Sequence, residues 1–183
     1  MTNVGGPAPI DPLVAAIVAQ QSTDATVIHL GDRWVLRMTR DLPHDAERVW
    51  AKLTEPDELR KWSPIIPDRA LTSVGRATAR ESSDSQAVDA EVLVSDRPRE
   101  LSHRWGAHIL RWTLTPTAGG CRLTLEQTFD EHADRGSLAA GWHLCLAVLV
   151  ALLDGHDVER IVGSRAIDYG WQSLEAQYRA SLT

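Results

Sequence analysis

Apolar positions recur along this chain with two different periods, and the switch between them organises everything else. In the middle of the chain they alternate with polar residues in short runs, the period of half-buried strands. Strands are predicted there at 68–72, 75–83, 87–95, 100–106, 109–115 and 121–130. Turn residues separate them: Val74-Gly75, Asp84-Ser85, Asp96-Arg97-Pro98, Gly106-Ala107 and Ala118-Gly119-Gly120. An earlier strand is predicted over 34–39, where Trp34, Leu36 and Met38 alternate with Val35, Arg37 and Thr39.

From 137 to 153 the alternation stops. The run SLAAGWHLCLAVLVALL has no proline, and Trp142, Leu146, Leu149 and Leu153 form one stripe at helical spacing. Leu144, Val148, Val150 and Leu152 fill its other sides, so this helix is predicted to be buried on most of its surface. Gly155 stops it. Shorter helices are predicted around it. One covers 11–21, with an Asp cap followed by Pro12. Asp45 caps a second, carrying Val49, Trp50 and Leu53, and a third runs from Thr54-Glu55-Pro56 through Leu59 and Trp62 to Pro64. A last amphipathic helix over 166–182 presents Trp171, Leu174 and Tyr178.

Short connections between successive strands imply hairpins and an antiparallel meander. A twisted sheet of this length curls, and its concave face needs cover that only the 137–153 helix can supply. The expected fold is therefore α+β: a seven-stranded curved antiparallel sheet wrapped around one long C-terminal helix, with two short helices after the first strand. Residues 1–30 read as an N-terminal extension, Gly/Pro-rich and mobile at its start, with a weak extended stretch at 26–30. Residues 31–183 read as one helix-grip domain.

Three stretches make the pattern more specific: RDLPHDAERVWAKLTEPDELRKW (40–62), LTPTAGGCRLTLEQTF (114–129) and AAGWHLCLAVLVALLDG (139–155), closed by Trp171, Tyr178 and Leu182. Together they resemble the START/Bet v 1-like (SRPBCC) superfamily, in the branch named for the activator of heat-shock protein 90 ATPase. The resemblance implies the helix-grip architecture and leaves function open, since that superfamily holds hydrophobic-ligand carriers, cyclases and aromatases. Two departures stand out. The residues before Trp34 lengthen the usual start and could cover one end of the cavity. Gln127 occupies a position that is often His in the branch, so any role of that imidazole is absent here.

Strand parity then nominates the side chains facing the helix: Val88, Ala90, Val92 and Val94; Leu101, His103 and Trp105; Leu110, Trp112 and Leu114; Leu123, Leu125, Gln127 and Phe129. An apolar cavity between sheet and helix follows, with Trp62, Val92, Trp105, Trp112, Phe129, Trp142 and Leu146 as expected ligand contacts. Polar markers at core-facing positions are Glu81, His103 and Gln127, with His143 on the helix; such groups must be satisfied by a ligand or by the protein.

Composition narrows the reading further. The chain has 183 residues, 43% apolar and 24% charged, suited to one domain with a real core. Seven Trp stand against two Tyr and one Phe, which favours a Trp-lined interior. A net charge of −6 argues against a nucleic-acid partner. The apolar run at 144–153 is too short to span a bilayer, and the N-terminus lacks a secretory pattern, so a cytoplasmic protein without membrane contact is expected. Cys121 and Cys145 read as reduced structural thiols. His103 with His108, and His143 with Cys145, lack workable ligand spacing, so neither metal nor cofactor is expected. Ser63, Ser82 and Ser83 lack a nucleophile motif. The leading expectation is binding of a small hydrophobic molecule, with a homodimer left open. The alternatives are a cyclase- or hydrolase-type enzyme using Glu81 or a His as acid or base, and a protein-interaction role.

Overall fold

The computed structural model describes residues 9–183; residues 1–8, most of the start expected to be mobile, lie outside the described residues. The chain opens with helix α1 (Pro12–Gln20), capped by the Asp11 carboxylate, which accepts from the Leu13 and Val14 amides. Strands β1 (Ala25–Leu30) and β2 (Arg33–Leu42) follow as a hairpin. Helices α2 (Ala46–Thr54) and α3 (Pro56–Leu59) come next, the former capped by Asp45. Then come β3 (Ile66–Pro67), β4 (Thr78–Arg80), β5 (Val88–Asp89), β6 (Val92–Asp96), β7 (Glu100–Trp105), β8 (His108–Thr117) and β9 (Gly120–Phe129). A 3-10 turn (His132–Asp134) leads into the long helix α4 (Arg135–Leu153), and α5 (Arg165–Asp168) and α6 (Trp171–Ser181) end the chain.

The α+β helix-grip class is what the sequence implies, but the strands divide differently. One antiparallel sheet holds six, ordered β1-β2-β9-β8-β7-β6, and β3-β4-β5 form a separate small sheet. The expected strand at 68–72 is a loop. There the Arg69 guanidinium bonds the carbonyls of Ala70, Ser73, Gly75 and Arg76, so one side chain satisfies the backbone groups a ladder would have used. The expected strand at 75–83 shrinks to β4, and 87–95 breaks into β5 and β6. The weak stretch at 26–30, assigned to the extension, pairs with β2 along its whole length as the edge strand of the main sheet. The last helix is two, separated at Gly170, whose φ of +82° continues no right-handed helix.

Parity holds through the centre of the main sheet. One inward row runs Leu36, Gln127, Leu110, His103, Val92 across five strands, and the next runs Met38, Leu125, Trp112, Leu101. All nine side chains are buried. Val94, expected in the inward set, is 39% exposed, because the register slips between Val92 and Val94 and turns it outward. The outer face carries Arg37, Glu126, Arg111 and Glu100 as a ladder of ion pairs. Such exposed pairs add little stability but keep that face in water.

Helix α4 is buried on nearly every side, as its composition implies. The sheet lies along one side, and α1 and α6 cover another. Gly136 permits the approach of α6: a Cβ there would lie 2.9 Å from the Glu175 carbonyl oxygen and 3.1 Å from Arg179 Cβ. With its preceding turn the helical stretch His132–Leu153 spans 22 residues, longer than the apolar run suggests and long enough by composition to cross a membrane. Its apolar window is 72% buried inside the fold, as in the core helix of a soluble protein.

Candidate functional site

Four tryptophans occupy the space expected between sheet and helix. Trp142 of α4 is their hub, with ring centroids 5.3 Å from Trp112, 6.0 Å from Trp105 and 6.5 Å from Trp62. Trp62 and Trp112 meet edge to face at 5.9 Å. The polar markers are spent holding these rings. Gln127 Oε1 accepts the Trp142 indole N–H at 2.6 Å. Its amide nitrogen therefore donates to His108 Nδ1 at 2.7 Å, leaving the His108 hydrogen on Nε2. His103 Nδ1 faces the Arg104 carbonyl, which can only accept, so Nδ1 carries the hydrogen and Nε2 accepts from Trp112 Nε1 at 3.3 Å. Trp62 Nε1 donates to the Lys52 carbonyl. Burial pushes His103 down to about 4, so it is neutral at neutral pH with both nitrogens engaged.

Open space lies at one end of this stack. A cleft of about 410 Å³ runs alongside the N-terminal half of α4, within the range of small-molecule sites. Its floor is one side of that helix, from Ser137 and Leu138 through Gly141 and Trp142 to Cys145. Gly141 has no side chain to raise the floor, and an added Cβ would meet nothing within 4 Å. Ile161, Val162, Ala166 and Ile167 form the facing wall, Trp171 of α6 and Trp105 of β7 close the sides, and Pro64 and Glu81 stand at the margin. Further along the same side of α4, Val148 and Leu152 are buried, so the cleft ends after Cys145.

Of the side chains nominated from sequence, Trp105, Trp142 and Glu81 are brought together on this cleft. Trp62, Val92, His103, Trp112, Gln127, Phe129 and Leu146 lie in the core behind it. Glu81 is not an inward strand residue: β4 ends at Arg80, and the Glu81 amide turns to Ser85 Oγ. Its side chain is exposed at the cleft margin. His143 lies on another side of α4, its Nε2 hydrogen on the Val18 carbonyl and its Nδ1 accepting from the Tyr178 hydroxyl. Cys145 lines the cleft, but burial pushes its thiol up to about 12, so no thiolate is available as a nucleophile. Among the described residues no three His, Cys, Asp or Glu side chains gather as metal ligands.

Sequence reasoning missed Leu138, Gly141, the Ile161-Val162 pair, Ala166, Ile167 and the cleft role of Trp171. Two signals were present: a glycine inside a Leu/Ala-rich helix, which costs helix stability without a packing or functional reason, and an apolar pair inside the polar stretch 154–165.

Solved structures with this architecture are numerous. Protein MLL2253 from Mesorhizobium loti is 28% identical, with a TM-score of 0.59, covering 68% of this chain and 99% of its own. EF2215 from Enterococcus faecalis, described as a conserved protein of unknown function, superposes with a TM-score of 0.71 at 18% identity, covering 91% and 94%. CalU16 from Micromonospora echinospora gives 0.61 at 17%, covering 86% and 94%. No curated protein matches. The family model described as Activator of Hsp90 ATPase homolog 1-like protein matches residues 43–154, from just before α2 to just past the end of α4. That is more than half of the sequence, and the chain belongs to this family.

Proposed function

We propose that this protein binds a small hydrophobic molecule in the cleft beside α4. One observation carries the reading: an open, largely apolar space of about 410 Å³, walled by Trp105, Trp142 and Trp171 and left unfilled at Gly141. Natural cores close such space, because each unfilled volume forfeits dispersion contacts and transfer free energy. Here the neighbouring rings are braced instead, Trp142 by Gln127 and Gln127 by His108, which keeps the wall in place without a ligand. Binding is favoured over catalysis because the buried imidazoles are engaged with the protein and the cleft thiol is protonated.

The test is a thermal and Trp-fluorescence screen of fatty acids, flavonoids, polyketides and sterols. A ligand at a hundredfold excess over Kd stabilises the fold by about 2.7 kcal/mol, or roughly 5–10 °C for a domain of this size. Gly141→Leu raises the floor and should weaken any hit at least tenfold while the protein stays folded. No upward shift from any compound class, or a hit indifferent to Gly141→Leu, would reject the cleft as the binding site.

A further inference from the structure

The cleft has one acidic group at its margin and no base among the residues lining it. Glu81 stands there with its backbone fully used: its amide donates to Ser85 Oγ at 3.0 Å, and its carbonyl accepts from Arg160 Nη2 at 2.8 Å. Its carboxylate forms no hydrogen bond or ion pair among the described residues. That is unlike the outer-face acids Glu100 and Glu126, each held by arginine. Arg160 points its guanidinium at two carbonyls, those of Ser63 and Glu81, and does not line the space, although both it and Glu81 act electrostatically on Cys145 in the cleft. A carboxylate without a partner among the described residues, lining the same cleft as three tryptophans, favours a cationic ligand group. The rings carry negative π-faces that attract a cation, and the carboxylate adds a full negative charge.

We propose that the cleft selects hydrophobic amines: molecules with an apolar aromatic or branched body seated on Gly141 and a protonated nitrogen at the mouth, against Glu81 and the indole faces. This rests on the cleft being the binding site, and it deepens that reading by assigning the class of ligand. Two weak effects act together on the ammonium group, an ion pair at an exposed carboxylate and a cation–π contact. A preference of roughly three- to tenfold over an uncharged ligand of the same shape is the scale they support.

A matched series tests it: 4-phenylbutylamine, 4-phenylbutanol and 4-phenylbutyrate, which share one body and differ in the charge of the head. Each is titrated at pH 7.5 into the full chain, its Glu81→Gln variant and its Gly141→Leu variant, following Trp fluorescence and the melting midpoint. The expected result is tightest binding by the amine, with Glu81→Gln bringing it down to the level of the alcohol and leaving the alcohol unchanged. Glu81 is exposed on a turn, so the variant should melt with the parent and its loss should read as specificity. Equal binding of all three, each weakened by Gly141→Leu, would keep the cleft as the site and overturn the amine assignment. Preference for the butyrate would overturn it too, placing control of the local charge with Arg160. Absence of binding by all three would reject this assignment and count against the cleft itself.

Discussion

The two flanks of α4 are made from similar helical sequence and end in opposite states. On the flank facing α1 and α6 the helices pack directly together, apart from a groove beside Ile17, Gln21, Arg40 and Val150. Gly136 lets the α6 backbone approach closely, and a buried polar chain stitches four elements together. Arg40 of β2 donates from Nε to Gln21 and lies beside the Tyr178 hydroxyl, which donates to His143; His143 in turn donates to the Val18 carbonyl of α1. Gln21 also bonds the His143 carbonyl. On the flank around Gly141 an added Cβ would meet nothing within 4 Å, and the facing wall is a loop and a single helical turn. The same residue type, glycine on one helix, marks contact in one place and vacancy in the other. A glycine therefore says nothing about packing until its neighbours are known.

The largest expected effect sets the scale for both flanks. Leu146 is buried in the middle of the helix, and Leu146→Ala should cost about 2–5 kcal/mol in urea unfolding. A loss below about 1 kcal/mol would mean that α4 is not the organising core helix.

Acid should attack the closed flank and the sheet interior. Burial lowers the pKa of His103, to about 4, and also those of His143 and His108, below the ordinary 6.5. The unfolded chain then binds protons that the folded chain refuses, so this stability is complete above about pH 6.5. It is lost as pH falls toward 4, with His103 alone contributing on the order of 3 kcal/mol. Urea midpoints between pH 7.5 and 4.5 should fall accordingly; a flat profile would show that these imidazoles are not shielded.

The sharpest contrast is one substitution made twice. Gly136→Ala drives a Cβ against backbone of α6 and should destabilise by roughly 1–3 kcal/mol. Gly141→Ala meets nothing and should stabilise by about 0.5–1 kcal/mol through helix propensity alone. Calorimetric midpoints that move the same way for both would erase the difference between the flanks.

Much of this was legible because it is local. Period-two alternation named the inward faces of β7, β8 and β9 correctly, and the apolar girth of α4 announced a helix enclosed on most sides. Asp11 and Asp45 read as caps and are caps. What failed were the places where a distant group replaces a local one. Arg69 takes over the carbonyls of an expected strand, a register slip turns Val94 outward, and Gly170 breaks the last helix.

The candidate site divides along the same line. Sequence by itself determined that polar Gln127 and His103 would face a tryptophan-rich interior, since side-chain direction follows from strand parity. It also determined that such buried groups would need partners. Only the tertiary structure decided that the partners are the indole N–H groups of Trp142 and Trp112, which turns an expected cavity into a packed stack. Only it decided where space remains. A void is the distance between elements far apart in the chain, here α4, the 161–167 segment, Trp171 and Trp105, and no periodicity within any one of them records how closely the others approach.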